Sequence, residues 1–240
     1  MWEPRVIVAD SFQTAWMEAI RSLQQSAWEA RNLVVQIHNV QALDMHVHEE
    51  VSAFAKFNGL LTPKHVAYTI FPYGLYRRCG CAQQLFHEYC RPGGFYGRVK
   101  TGWGTYFHRM TCYRGRRGDE NQLGRIIQAI NSGDSTYKAA YTMVIQMPGG
   151  ETVRRRGGPC LNYIAVQLQP GHPRILGLLC VYRNHDFRER AYGNYWGLCN
   201  LLSFLAQETG SNPGPLTCIS SRAYVPGRKA NLVSLLERIE

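Results

Sequence analysis

Apolar and polar residues follow one another along this chain with two distinct periods. Residues 5–9 (RVIVA) are rich in β-branched side chains and read as a short strand. Asp10 and Ser11 then offer an N-cap, and Phe12, Trp16, Ala19, Ile20 and Leu23 recur at the spacing of one helix face. The pattern predicts a strand over 31–39, a helix over 46–57 and an extended segment over 66–71 (VAYTIF). From 74 to 104 it is weak, broken by glycines and a Pro92-Gly93-Gly94 turn. A helix is expected over 121–131, closed by Ser132-Gly133, and a strand over 139–147. Two apolar stretches, 161–168 and 175–182, joined by the turn QPGHP, read as paired strands. Residues 193–209 read as a strongly apolar helix stopped by Gly210 and Pro213, and 216–225 as a last strand. Strands and helices do not alternate regularly, so the expected class is α+β rather than doubly wound, in one domain over 1–240.

Composition sharpens this. The 240 residues suffice for one sizeable core, and 45% apolar with 18% charged residues is a globular balance. Lys and Arg number 27 against 17 Asp and Glu, a net charge of +10, which attracts anions such as phosphorylated small molecules, nucleic acid or acidic lipid. Only five of the cations are Lys, and Arg is favoured where phosphate or carboxylate is gripped bidentately. No stretch approaches the roughly 18 apolar residues of a membrane span, so no membrane partner is expected. The first residues lack a basic segment followed by an apolar one, so the eight Cys are expected as reduced thiols in a cytoplasmic protein.

Cys79, Cys81, His87 and Cys90 are four metal-ligand types within twelve residues, but Cys-x-Cys is too short for the usual zinc knuckle and no metal is expected. His46 and His48 point to different sides of a helix. The Arg-Gly runs at 113–119 and 153–158 suit a nucleic-acid patch or solvated loops, and nucleic acid is not the expected partner. The stretch from Pro159 to Tyr224 differs in kind. Cys160 follows Gly-Gly-Pro at the head of an apolar strand. Arg183 and Asp186 form an Arg-x-x-Asp, and Asn194 stands eight residues later at the start of the apolar helix. Arg222 and Tyr224 end the last strand. A thiol, a phosphate-type Arg, an acid and an amide near one sheet suggest nucleophilic chemistry on a phosphorylated substrate.

These spaced motifs resemble the thymidylate synthase family, which includes the deoxycytidylate hydroxymethylases. The family has a Pro-Cys nucleophile, an Arg-Ser-x-Asp motif, an Asn at the offset of Asn194 and a later His-x-Tyr. The likeness is continuous from Tyr182 through the helix and extends over roughly residues 98–226. It implies a twisted mixed sheet with helices on one face and a homodimer formed through the other. It also implies a pyrimidine nucleoside monophosphate substrate and 5,10-methylene-tetrahydrofolate as co-substrate. Cys160 would add to C6 of the ring, so that C5 becomes the nucleophile that takes the one-carbon unit. The arginines at 154, 155, 156 and 183 would depress the thiol's pKa.

The resemblance carries further roles. Arg183 would bind the 5′-phosphate, and Lys138 stands where the family's Ser-Arg-Arg segment reaches the partner subunit's phosphate, with Tyr137 in place of the other Arg. Asp186 would hold the folate pterin, and Asn194 would read the N3 and C4 edge, favouring uracil without excluding cytosine. Tyr224 would contact the sugar 3′-hydroxyl beside Arg222, which replaces a His and could read a ribose hydroxyl or the phosphate. Asn184 replaces the motif's Ser and Leu161 the His after the nucleophile, both beside base and phosphate. Tyr106, in WGTYFHR, would assist proton removal from C5. For the family's catalytic Glu, the candidates Glu49, Glu50 and Glu88 lie outside its motif. The chain ends VSLLERIE without the family's apolar closing tail, so water is expected to win over hydride and the product to be 5-hydroxymethyl. The alternatives are C5 methylation of the thymidylate synthase type, a scaffold that binds nucleotide or RNA without chemistry, and an unrelated basic nucleic-acid binder.

Overall fold

A computed structural model describes residues 3–99, 102–115, 118–133, 141–147 and 157–240. Strand β1 (Arg5–Ala9), helix α1 (Phe12–Gln24) and strand β2 (Glu29–Ile37) form the first unit, with β1 parallel to β2. The Ser11 hydroxyl caps α1 by accepting the Thr14 N–H at 3.1 Å, and the predicted stripe from Phe12 to Leu23 is buried. Helix α2 (Met45–Phe57) follows, capped by Asp44, whose backbone is clasped at both ends by the Gln13 amide at 2.6 and 2.7 Å.

Residues 66–71 correct the sequence reading, because they belong largely to a helix, α3 (Pro63–Ile70). Their β-branched and aromatic content favours a strand locally, but Pro63 starts a helical turn and Val66, Ala67 and Ile70 are then buried, chiefly against one later helix. The weakly patterned stretch that follows also holds short helices: α4 (Tyr73–Cys79), α5 (Ala82–Cys90) and α6 (Phe95–Val99). Helix α7 (Tyr106–Thr111) is capped by Thr105, whose hydroxyl also meets the Tyr89 phenol at 2.7 Å. A small hairpin, β3 (Tyr113–Gly115) and β4 (Gly118–Glu120), leads to α8 (Gln122–Asn131), close to its predicted span.

The remaining strands are β5 (Thr142–Val144), β6 (Leu161–Gln169), β7 (Ile175–Tyr182), the short β8 (His185–Asp186) and the long β9 (Asn212–Tyr224). Helix α9 (Ala191–Glu208) lies between β8 and β9, and α10 (Ala230–Ile239) packs on α2. The main sheet runs β1-β2-β9-β7-β6-β5, with β8 beside the end of β9. It is mixed: β9 is antiparallel to β2 and parallel to β7, while β6 is antiparallel to β7. One face is core, with Leu33, Val35, Ile164, Val166, Leu178, Cys180, Leu216 and Cys218 buried. On the other, Val6 and Val8 are exposed and Val34, Ala165, Leu179, Val181 and Ile219 are partly so. Helices cover a single face, which is the expected α+β architecture.

Helix α9 is buried on most sides and packs against α1, α3, β7 and β9. Its contact with α3 is made by missing atoms. A Cβ on Gly193 would lie 2.6 Å from the Val66 Cβ and 2.8 Å from the Pro63 oxygen, and one on Gly197 2.9 Å from the Ala67 oxygen. These notches seat α3 directly against α9 and explain why its helical state does not show in local propensity. No helix among the described residues is long and apolar enough to cross a membrane.

Candidate active site

Topology brings the chemistry together. Because β6 runs against β7 and β9 runs with it, the start of β6 and the ends of β7 and β9 lie at the same end of the sheet. Leu161 pairs with Tyr182, Tyr182 with Ser220, and Asp186 with Tyr224. A cleft of about 580 Å³ opens there, in the size range of small-molecule sites. It is lined by Cys160, Arg183, Asn184, Asp186, Asn194, Tyr224 and Tyr106, joined by Trp103, His185, Glu189, Arg190 and, from the α3 side, Leu61, Val66 and Thr69.

Cys160 sits after Gly157 and Gly158, both at φ near +80°, a turn that only glycine adopts easily. Arg183 holds this turn, since its Nε and Nη2 donate to the Pro159 and Gly157 carbonyls at 3.1 Å each. The Cys160 carbonyl accepts the Arg183 N–H at 2.9 Å, and the Cys160 N–H donates to the Tyr106 hydroxyl at 3.2 Å. Burial pushes the Cys160 thiol up, and Arg183 and Arg190 only partly offset it. The net direction is therefore opposite to the depression expected from the arginines, because desolvation outweighs the two cations that reach the sulfur. Residues 154–156 and Lys138 lie outside the described residues. Burial also pushes the Tyr106 phenol up to about 12, against the pull of the Cys160 and Leu161 N–H groups, so it is neutral at physiological pH.

The Asp186 Oδ1 accepts the Arg188 and Glu189 N–H groups at 2.8 and 3.0 Å, while burial pushes its pKa up. Asn194 stands in the first turn of α9, 4% exposed, with its Nδ2 3.1 Å from the His185 Nε2. Tyr224 lines the cleft with the Arg222 guanidinium 4.3 Å over its ring. Arg222 itself does not line it. Its Nε and Nη2 donate to both Glu29 oxygens at 3.0 and 2.6 Å, and its Nη1 to the Asn184 Oδ1 at 3.1 Å. Six of the expected residues thus share the cleft with Tyr106, and Arg222 is anchored beside it.

No family model matches the chain. Two curated relatives, from Methanosarcina barkeri and Methanosarcina mazei, are each named "Putative thymidylate synthase". They are 26% identical over 121 residues and 28% identical over 123, in each case covering 50% of this chain and 52% of the relative. The chain therefore spans about half the length of the curated relatives it matches. The thermostable thymidylate synthase A from Bacillus subtilis superposes with a TM-score of 0.55 over 95% of this chain and 84% of its own, at 12% identity. The fold is thymidylate synthase-like.

Within this thymidylate synthase-like fold, three candidate acids fall elsewhere. Glu50 pairs with Arg238 at 3.3 Å and Glu88 with Arg91 at 2.7 Å, and neither they nor Glu49 line the cleft. The acids that line it are Asp186 and Glu189, whose Oε1 accepts the Leu61 N–H at 3.0 Å. Glu189 and Arg190 were legible only as charges set against an apolar helix start, a place where burial ordinarily excludes them. Trp103, whose ring lies 4.8 Å from Tyr106, gave no signal beyond its neighbour in the sequence. The four-ligand segment does not gather. The Cys90 sulfur meets that of Cys112 at 2.7 Å, and the described residues contain no group of three or more His, Cys, Asp or Glu placed to hold a metal.

Proposed function

We propose that the chain is an enzyme that transfers a one-carbon unit to C5 of a pyrimidine nucleoside 5′-monophosphate. The observation that carries this is the convergence of Cys160, Arg183, Asp186, Asn194, Tyr224 and Tyr106 on one cleft of a thymidylate synthase-like sheet. Cys160, as thiolate, adds to C6 of the ring. Burial raises its pKa, while Arg183 and Arg190 favour the charged form. Arg183 is placed to meet the phosphate beside the nucleophile's own turn, and Asn194 to meet the base edge. Tyr106 is a neutral phenol at the Cys160 backbone, suited to relay the C5 proton.

The cleft fits a folate by its donor set: a buried carboxylate at Asp186, with the Trp103 ring and Leu61 as flat and apolar walls. Asp186 would hold the pterin, and 5,10-methylene-tetrahydrofolate would supply the one-carbon unit when bound. Water as the final acceptor, giving a 5-hydroxymethyl product, is supported by the position of α10. It packs on α2, and none of its residues lines the cleft. A homodimer through the open sheet face is supported by the apolar residues there, from Val6 to Ile219.

Tritium release from C5-labelled UMP, dUMP, CMP and dCMP in the presence of methylene-tetrahydrofolate tests the reading. Release from at least one nucleotide is expected, and its loss in Cys160→Ala. A 5-methyl product accompanied by dihydrofolate would replace hydroxymethylation with methylation. One observation favours a second reading, binding without chemistry: among the described residues, no carboxylate of α2 or α3 lines the cleft. Tight nucleotide binding indifferent to Cys160→Ala, with no release, would decide for it.

A further inference from the structure

Behind Asn194 lies a buried polar chain. The His185 ring is 1% exposed and stacks on Tyr182, with centroids 4.1 Å apart and planes 3° from parallel. Phe187 and Tyr195 enclose it further. Its Nε2 meets the Asn194 Nδ2 at 3.1 Å and its Nδ1 meets the Ser220 Oγ at 2.9 Å. Burial alone pulls its pKa down to about 3, so the ring is neutral and one nitrogen must donate while the other accepts. The Asn194 amide nitrogen can only donate, so the His185 Nε2 is the accepting nitrogen and Nδ1 carries the hydrogen. The Ser220 oxygen then accepts from Nδ1. The chain then has one direction: Asn194 Nδ2–H to His185 Nε2, and His185 Nδ1–H to Ser220 Oγ.

We propose that His185, backed by Ser220, is a positioning residue that fixes the Asn194 amide with its oxygen and its second N–H toward the cleft. Resting on the nucleotide reading above, this selects a base edge whose ring nitrogen carries hydrogen beside a carbonyl, the N3–H and C4 oxygen of uracil. Cytosine presents the reverse, a bare ring nitrogen beside an amino group, and meets like against like. His185 borders the cleft but is 1% exposed, and both of its ring nitrogens are taken by Asn194 and Ser220, so it acts on the base through Asn194.

Two measurements on the full chain test it. Long-range proton–nitrogen NMR reads the ring directly, and hydrogen on Nδ1 with a bare Nε2 is expected in the nucleotide-free protein. Titration calorimetry with UMP and CMP should give UMP at least about tenfold tighter. The ratio should collapse toward one in Ser220→Ala and in His185→Phe, which keeps the stack on Tyr182, and hold in Ser220→Thr. Hydrogen on Nε2, or an unchanged ratio in both disabling variants, would overturn the role of His185 even with uracil preferred. Binding of neither nucleotide by the unaltered chain would instead overturn the nucleotide reading, and the selectivity with it.

Discussion

Two regions meet at the cleft, and they are built by different rules. Residues 157–224 supply the nucleophile, the phosphate-type arginine, the acid and the amide from strand ends locked by ladder register. Residues 60–111 supply the facing wall, Leu61, Val66, Thr69, Trp103 and Tyr106, from short helices and turns. The first region is specified by patterns that lie within it. The second takes its shape from what it packs against. Reacting groups on a sheet end are held by many hydrogen bonds at once, whereas a wall of short helices holds only as well as its packing.

The largest expected effect lies in the first region. Cys160→Ala should lower C5 tritium release at least about a thousandfold while leaving the melting temperature near that of the unaltered chain. A residual rate near normal would remove the nucleophile from this region altogether. The second region should break at its seam. Gly193→Ala places a methyl within 3 Å of the Val66 side chain and the Pro63 carbonyl, and backbone cannot yield as a flexible side chain can. Overpacking of this kind costs about 2–3 kcal/mol, more than the roughly 1 kcal/mol that alanine gains over glycine inside a helix. Denaturant unfolding should show the loss, and a stabilised protein would mean that α3 is not seated on α9.

Legibility divides along the same line. The strands at 161–168 and 175–182, the apolar helix and every cleft residue from Cys160 to Tyr224 except His185, Glu189 and Arg190 were readable, because spacing and period survive in sequence. Helix α3 was not. Its β-branched residues argue for a strand, and the cause of its helical form sits about 130 residues away, in Gly193 and Gly197. Arg222 shows a second limit, because its residue type announces an anion without saying that the anion is Glu29. The rise of the Cys160 pKa shows a third: charges can be counted along a chain, whereas desolvation cannot.

Three smaller effects sharpen the contrast. His185 is buried neutral with a pKa lowered from 6.5 to about 3, so below pH 6.5 the unfolded chain binds a proton that the folded one refuses. Stability should therefore fall as pH drops from about 6.5 toward 3, and His185→Phe should flatten that slope in pH-dependent denaturation. Glu29 has its pKa lowered, chiefly by the Arg222 hydrogen bonds, so its contribution is present above pH 4.5 and fades as pH falls through the folded value. Both partners are more than a third exposed, and Glu29→Gln should cost less than about 1 kcal/mol by denaturant unfolding at pH 7. Last, the Tyr195 hydroxyl is buried with no hydrogen-bond partner among the described residues. Tyr195→Phe should leave thermal stability unchanged or raise it by up to about 1 kcal/mol, and a clear loss would reveal a partner.

The glycine seam between α3 and α9 has an evolutionary consequence. A contact made of absent atoms cannot be improved one residue at a time, since any enlargement on α9 first needs a matching retreat on α3. The two helices must therefore drift as a pair, and lineages that remodel the wall above the thiol should carry compensating changes at 63–70 and 193–197 together. Divergence here is expected to come in jumps, while the strand ends below change by single steps.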